Sequence, residues 1–258
     1  MNRLKGKVCV VTGATGMAAA AARRFAEEGG DVFVVAKDED ECAALAFPYA
    51  LADLRQEAQT EAAFTAARAH RGRIDSLFAV AGASGRRIGD GAVHEMSQAA
   101  WDGTMALNAT PAFLAAREAV RVMMAQEPND VGSRGSIVLM ASVLAEHPEP
   151  ARFATHAYAS SKAAIIGLAR SMAAYYATHG IRVNAVAPGL VTTPMSARAA
   201  ADPQSVAFAE QAQVLAGGFL KAGEIADAAV YLCADESRAV TGQLLAVDGG
   251  WSVRGATR

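Results

Sequence analysis

Tyr158-Ala-Ser-Ser-Lys162 places a phenol and an ammonium four residues apart, at the start of a helical pattern that runs from Tyr158 to His179. On a helix, residues i and i+4 share a face. A lysine held near a tyrosine hydroxyl favours the phenolate, so such a phenol could take up and return a proton near neutral pH. Bringing a phenol from a pKa of about 10 to about 7 takes roughly 4 kcal/mol of differential stabilisation. An isolated Tyr-x-x-x-Lys is more often a plain helix-surface pair, so the chemistry depends on what the rest of the chain brings to the same place.

The elements that would position the pair follow from the pattern of apolar runs. Lys7 to Val11 is a short valine-rich run, followed by Thr12-Gly13-Ala14-Thr15-Gly16 and a helical pattern to Glu28. Strand, glycine turn and helix is the order a dinucleotide site needs, because the turn lets backbone approach a pyrophosphate and the helix start offers free N–H groups. Gly29-Gly30 ends the helix and Asp31 to Ala36 reads as a second buried strand. Apolar runs and helical patterns then alternate: 47–51, a helix over 56–70, 74–80, a helix from 98 to about 126, 136–141, the Tyr158 helix, and 182–187. Such alternation predicts an α/β fold with a doubly wound parallel sheet (a Rossmann fold), helices on both faces and a single domain over 1–258. Ligands of these sheets sit beyond the carboxyl ends of the strands. Gly13 and Gly16, Ala81-Gly82, Ser142 and Pro188-Gly189 all fall there.

Composition narrows the class. The chain has 258 residues, 52% hydrophobic and 19% charged, with a net charge of −2, which fits a globular protein and gives no sign of a nucleic-acid partner. Cys9, Cys42 and Cys233 are odd in number and far apart, so neither a disulfide framework nor a zinc site is expected and a reducing, cytoplasmic location fits. The basic start followed by an alanine-rich run resembles a signal peptide, but Gly13 and Gly16 interrupt it and Arg23-Arg24 continues it as an amphipathic helix. Nowhere do 18 apolar residues follow one another, so no membrane partner is expected. His147 and His156 stand alone, and no metal is assigned.

Thr12-Gly13-x-x-Gly16, Ala81-Gly82, Asn108, Ser142, Tyr158-x-x-x-Lys162, Asn184-Ala-Val-Ala-Pro188-Gly189 and the closing 241–250 stretch, in that order, resemble the short-chain dehydrogenase/reductase family from about Leu4 to Val253. The resemblance implies an oxidoreductase that moves a hydride between a nicotinamide cofactor and a small carbonyl or secondary-alcohol substrate. Tyr158 would be the general acid or base, Lys162 would lower its pKa and bind the nicotinamide ribose, Ser142 would polarise the carbonyl, and Asn108 would support a proton path to the lysine. The cofactor would lie against Gly13, Thr15, Gly16 and Met17, against Asp53 and Leu54 at the adenine, and against Ala81, Gly82, Pro188, Gly189, Val191 and Thr193 toward the nicotinamide. Ala36 stands where an acidic residue would bind the ribose 2′-hydroxyl of NAD, and Lys37 could pair with a 2′-phosphate, so NADP is favoured over NAD. A homotetramer is implied, with the long helices of Asn108 and Tyr158 at one interface and the C-terminal segment at another. The alternative is a catalytically weak nucleotide-binding regulatory or scaffold protein on the same fold.

The chain departs from the family pattern in places. The glycine turn is shorter than usual, with Ala18 at a customary glycine. Ala79-Val80 replaces paired asparagines that would brace the fourth strand, and the segment between Ser142 and Tyr158 is longer than usual. Residues 193–221 read as a helical lid over the substrate. In the Ser84–Gly89 loop, Arg86 and Arg87 could grip an acidic group on the substrate, or pair with Glu146, Glu149 or a neighbouring subunit.

Overall fold

A computed structural model describes residues 2–254; the first and last few residues of the expected 1–258 domain lie outside the described residues. The order of elements is β1 (Val8–Thr12), α1 (Gly16–Glu27), β2 (Asp31–Ala36), α2 (Glu39–Ala43), β3 (Tyr49–Leu51), α3 (Glu57–Arg71), β4 (Ser76–Ala79), α4 (Gln98–Ala125) and β5 (Gly135–Met140). There follow α5 (His156–Tyr176), β6 (Ile181–Pro188), α6 (Ala197–Ala200), α7 (Pro203–Ala212), α8 (Ala222–Cys233), β7 (Leu244–Val247) and α9 (Trp251–Arg254). Seven parallel strands lie in the order β3-β2-β1-β4-β5-β6-β7. The strand order reverses between β1 and β4, so the carboxyl ends of these two neighbours open the crevice where such sheets take ligands.

Successive side chains on a strand point to opposite faces, and both faces here are apolar. Val10, Phe33, Leu77, Ile137 and Val183 pack under α3, α4 and α5 against Phe64, Met123 and Ile165. Val11, Val34, Phe78, Val138 and Val186 pack on the other face with Phe25 of α1 and Ile225 and Val230 of α8. Cys9, Cys42 and Cys233 are unpaired and buried.

The expected strands and long helices are present with small shifts of boundary. α5 begins at His156, ahead of Tyr158, and its last expected residues form a separate 3-10 turn, Ala177–His179. β6 extends through Pro188. α8 and β7 complete the two faces and the sheet edge, although neither is among the elements expected from the apolar runs.

Candidate active site

α5 carries Tyr158 and Lys162 on the face turned to the ends of β4 and β5. Lys162 is 3% exposed, its Nζ donates to the Met140 carbonyl at 2.8 Å, and it lies 5.6 Å from the centre of the Tyr158 ring. Burial pushes the lysine down to about 8. Burial also pushes the phenol above its ordinary value, while a hydrogen bond with Ser142 pulls it the other way. The sequence leads one to expect a lysine that draws the phenol down. In the folded protein, desolvation is the larger influence and disfavours both charged forms. Ser142 is 8% exposed at the end of β5, where its Oγ also accepts from Leu144 N at 3.2 Å.

Asn108 is fully buried in α4. Its Oδ1 accepts from Ala83 N at 3.2 Å, and its Nδ2 donates to the carbonyls of Ala83 and Thr104 at 2.9 and 3.0 Å. The side chain therefore pairs with one backbone unit as a neighbouring strand would. A Cβ on Gly82 would stand 2.7 Å from Asn108 Oδ1 and 3.5 Å from Lys162 Nζ, so the absence of a side chain there is what lets α4, α5 and the end of β4 meet. The bracing put in doubt by Ala79-Val80 comes from Thr12 of β1, whose Oγ1 accepts from Val80 N at 3.0 Å and Ala81 N at 3.1 Å.

In the turn after β1, Gly13 and Gly16 adopt φ of +94° and +55°, and Thr15 caps α1 with its hydroxyl uncommitted to the helix. These groups, with Met17, Ala81 and Gly82, line a narrow cleft whose far side is Thr193, Pro194 and Met195. The positive turn and helix start fit a pyrophosphate. Thr193 begins the segment expected to act as a lid: its Oγ1 accepts from Ser196 N at 3.3 Å and its N donates to Ser196 Oγ at 2.9 Å. Val191 is buried beneath it, and Pro188 and Gly189 lead out of β6.

At the end of β2 Ala36 is buried and Lys37 exposed. Asp53 accepts from Arg55 Nε at 2.9 and 3.1 Å, and this pairing, assisted by Lys37, pulls its carboxyl down to about 2. Leu54 is buried between them. Arg55 escapes a reading of the sequence because a lone arginine four residues past a strand is common; its pairing with Asp53, which Lys37 also faces, is the missing signal.

The arginine loop differs from expectation. Arg86 donates to the Arg152 carbonyl at 2.6 Å, and Arg87 is exposed. Neither Glu146 nor Glu149 pairs with them: Glu146 faces Arg170 at 3.8 Å, and Glu149 accepts from Arg152 N at 2.7 Å. The carboxylates are engaged closer to home in sequence. Arg152 also donates to the Gln204 carbonyl at 3.3 Å and stacks 5.4 Å over Phe208, whose ring sits 6.3 Å from Phe153 and 5.0 Å from Trp251. The long segment after Ser142 is thus joined to α7. A second cavity, of about 230 Å³, opens beside Ser142 among Glu146, His147, Arg170 and Gln243. His156 Nδ1 accepts from Val93 N at 3.1 Å. Among the described residues no three His, Cys, Asp or Glu side chains gather as a metal site, and no helix is long and apolar enough to cross a membrane.

Residues 11–252 match the family model described as enoyl-(acyl carrier protein) reductase. Short-chain dehydrogenase reductase 5 of Arabidopsis thaliana is 36% identical, with 98% of this chain and 96% of that protein covered. Momilactone A synthase of Oryza sativa subsp. japonica is 38% identical over 98% of this chain and 92% of its own length. Among solved structures, a short-chain type dehydrogenase/reductase from Mycobacterium ulcerans superposes with a TM-score of 0.87 at 25% identity, covering 97% of this chain and 91% of that one.

Proposed function

The chain belongs to the short-chain dehydrogenase/reductase family, and on that footing we propose that Tyr158 passes the proton, and Ser142 orients the oxygen, of a carbonyl or secondary-alcohol substrate. The protein is a nicotinamide-dependent oxidoreductase. A bound nicotinamide supplies or accepts the hydride. The observation that carries the assignment is the convergence of Tyr158, Ser142 and Lys162 at the ends of β4 and β5, beside the glycine-turn cleft.

In the reducing direction the Tyr158 hydroxyl, kept protonated by burial, donates to the oxygen that gains charge as hydride arrives. Ser142 holds the same oxygen with a second hydrogen bond. Lys162, turned toward the Met140 carbonyl and adjoining Gly82, would reach the ribose and take part in returning the proton to Tyr158. Oxidation of an alcohol runs the same contacts backwards. Asn108 holds the loop that borders them. Residues 193–221 act as a lid, supported by the latch of Arg152 and Phe153 on α7.

Tyr158→Phe tests the assignment. Turnover, followed by nicotinamide absorbance over a panel of ketones and alcohols, should fall at least about a hundredfold while cofactor affinity stays within about twofold. Retention of a tenth or more of the rate removes Tyr158 from the chemistry.

NADP is the favoured cofactor. Ala36 offers no carboxylate to a 2′-hydroxyl, and Lys37 lies exposed on the same rim as Arg55. A preference for NAD that survives Lys37→Ala would overturn this. A homotetramer is supported by Trp101, Phe113 and Met124 on α4 and Tyr175 on α5, exposed apolar side chains that a second subunit would cover. A cytoplasmic site of action accords with three unpaired buried thiols.

A further inference from the structure

α5 begins without a cap of its own. Thr155, its N-cap residue, makes no capping hydrogen bond; its hydroxyl donates to the Phe153 carbonyl instead. The first N–H groups of any helix lack intrahelical acceptors and need partners when buried. Here they come from a distant loop. Asp90, 7% exposed, accepts from Ala157 N through one carboxylate oxygen and from Tyr158 N through the other, both at 3.0 Å. His156 N donates to the Gly91 carbonyl at 3.3 Å, and His156 Nδ1 accepts from Val93 N. The first three residues of α5 are therefore all bonded to residues 90–93.

That loop is in turn tied to the floor of the cofactor cleft. Asp90 N donates to the Gly85 carbonyl at 3.1 Å, and a Cβ on Gly85 would lie 2.8 Å from Asp90 Cβ and 2.1 Å from Thr104 Oγ1, so the turn is pressed against α4. One helical turn further along α4, Asn108 grips Ala83, next to Gly82. Arg86 holds the approach to α5 through the Arg152 carbonyl.

We propose that Asp90 is a positioning residue for Tyr158, setting the phenol in register with the β4 end of the cofactor cleft. A cap supplied by Thr155 would fix the helix start only to its own preceding segment. A cap supplied by Asp90 fixes it to the loop that runs from Gly82, so this carboxylate, beside the His156 contacts to Gly91 and Val93, holds the distance between proton donor and nicotinamide site. The inference rests on the assignment of Tyr158 above.

Asp90→Asn keeps the size of the side chain but leaves one acceptor for two N–H donors. Well below the unfolding temperature, kcat should fall about tenfold to a hundredfold, while KM and the dissociation constant for NADP, read by fluorescence, change by less than about twofold. In a Tyr158→Phe background the same substitution should lower the residual rate no further, because its effect passes through the phenol. A second variant, Asp90→Ala with Thr155→Asp, restores a local cap. It should recover the unfolding temperature but not kcat, and it keeps the test open if Asp90→Asn alone does not fold. A wild-type kcat in Asp90→Asn, a recovered kcat in the double variant, or an equal further loss in the Tyr158→Phe background would overturn the proposal. Activity retained by Tyr158→Phe itself would instead overturn the assignment of Tyr158, whatever Asp90 does.

Discussion

The two ends of the cofactor crevice are built on different principles. At the end formed by β4, β5 and α5, Lys162, Ser142 and Asn108 are buried and each is bonded to backbone: to Met140, to Leu144, to Ala83. At the other end, past β2 and β3, Lys37 is exposed, and Asp53 and Arg55 form an ion pair whose side chains are 24% and 43% exposed. Leaving a buried polar group without its partner costs about 1–3 kcal/mol, more when it is charged, whereas an exposed ion pair contributes about 1 kcal/mol or less. The contrast teaches that the buried contacts around Lys162, Ser142 and Asn108 are costly to lose, while the exposed groups around Asp53 can be exchanged with little effect on the fold.

The largest expected effect sharpens the buried side of the comparison. Lys162→Met should cut kcat by about a hundredfold or more. It should also remove a pH dependence of stability. The unfolded lysine keeps its proton up to about 10.5, the folded one only to about 8, so between these values the unfolded chain binds more protons and the cofactor-free protein gains stability as pH rises. The gain, up to roughly 3 kcal/mol, is best read by denaturant titrations between pH 8 and 10. Above that the raised Tyr158 acts with the opposite sign. A flat profile in the wild type would break the comparison.

Next in size is Gly82→Ala, whose methyl would meet Asn108 Oδ1 at 2.7 Å. Overpacking of this kind destabilises by about 1–3 kcal/mol, and the unfolding temperature should drop with turnover. The smallest effect belongs to the end past β2 and β3. Arg55→Ala should alter stability at neutral pH by about 1 kcal/mol or less. The Asp53 contribution is present above the ordinary carboxylate range and is lost as pH falls through about 2, so the variant and the wild type should converge in acid. A loss from Arg55→Ala as large as that from Gly82→Ala would show that the two ends are not built differently.

Most of the sheet was legible because parallel strands covered on both faces read as continuous apolar runs, as Asp31–Ala36 does. α8 was not, although Ile225, Ala226, Ala229, Val230 and Cys233 recur at helical spacing and Glu224 accepts from Lys221 N at its start. A short helix close to the chain end gives a weak signal beside the motifs around it. Tyr158, Lys162, Ser142 and Asn108, which the fold brings together, stood out in the sequence through type and spacing. Their bracing was not, since Thr12 to Val80, Asn108 to Ala83 and Asp90 to Tyr158 join residues 25 to 68 positions apart, and hydrogen bonds of that range leave no local pattern. The same holds for Arg86, whose bond to the Arg152 carbonyl spans 66 positions.

The three buried thiols carry a consequence of a different kind. Burial pushes Cys9 and Cys233 up, the latter to about 12, and the thiolate rather than the thiol is what reacts. Cys9 sits in β1 and Cys233 closes α8, both on the sheet face that α1 covers, while Cys42 is buried in α2. None can meet an alkylating reagent or peroxide until its surroundings open. Their rates of labelling would therefore serve as internal clocks, one for the β1 and α8 layer and one for the short α2, timing how often each part of the molecule comes apart while the rest stays folded.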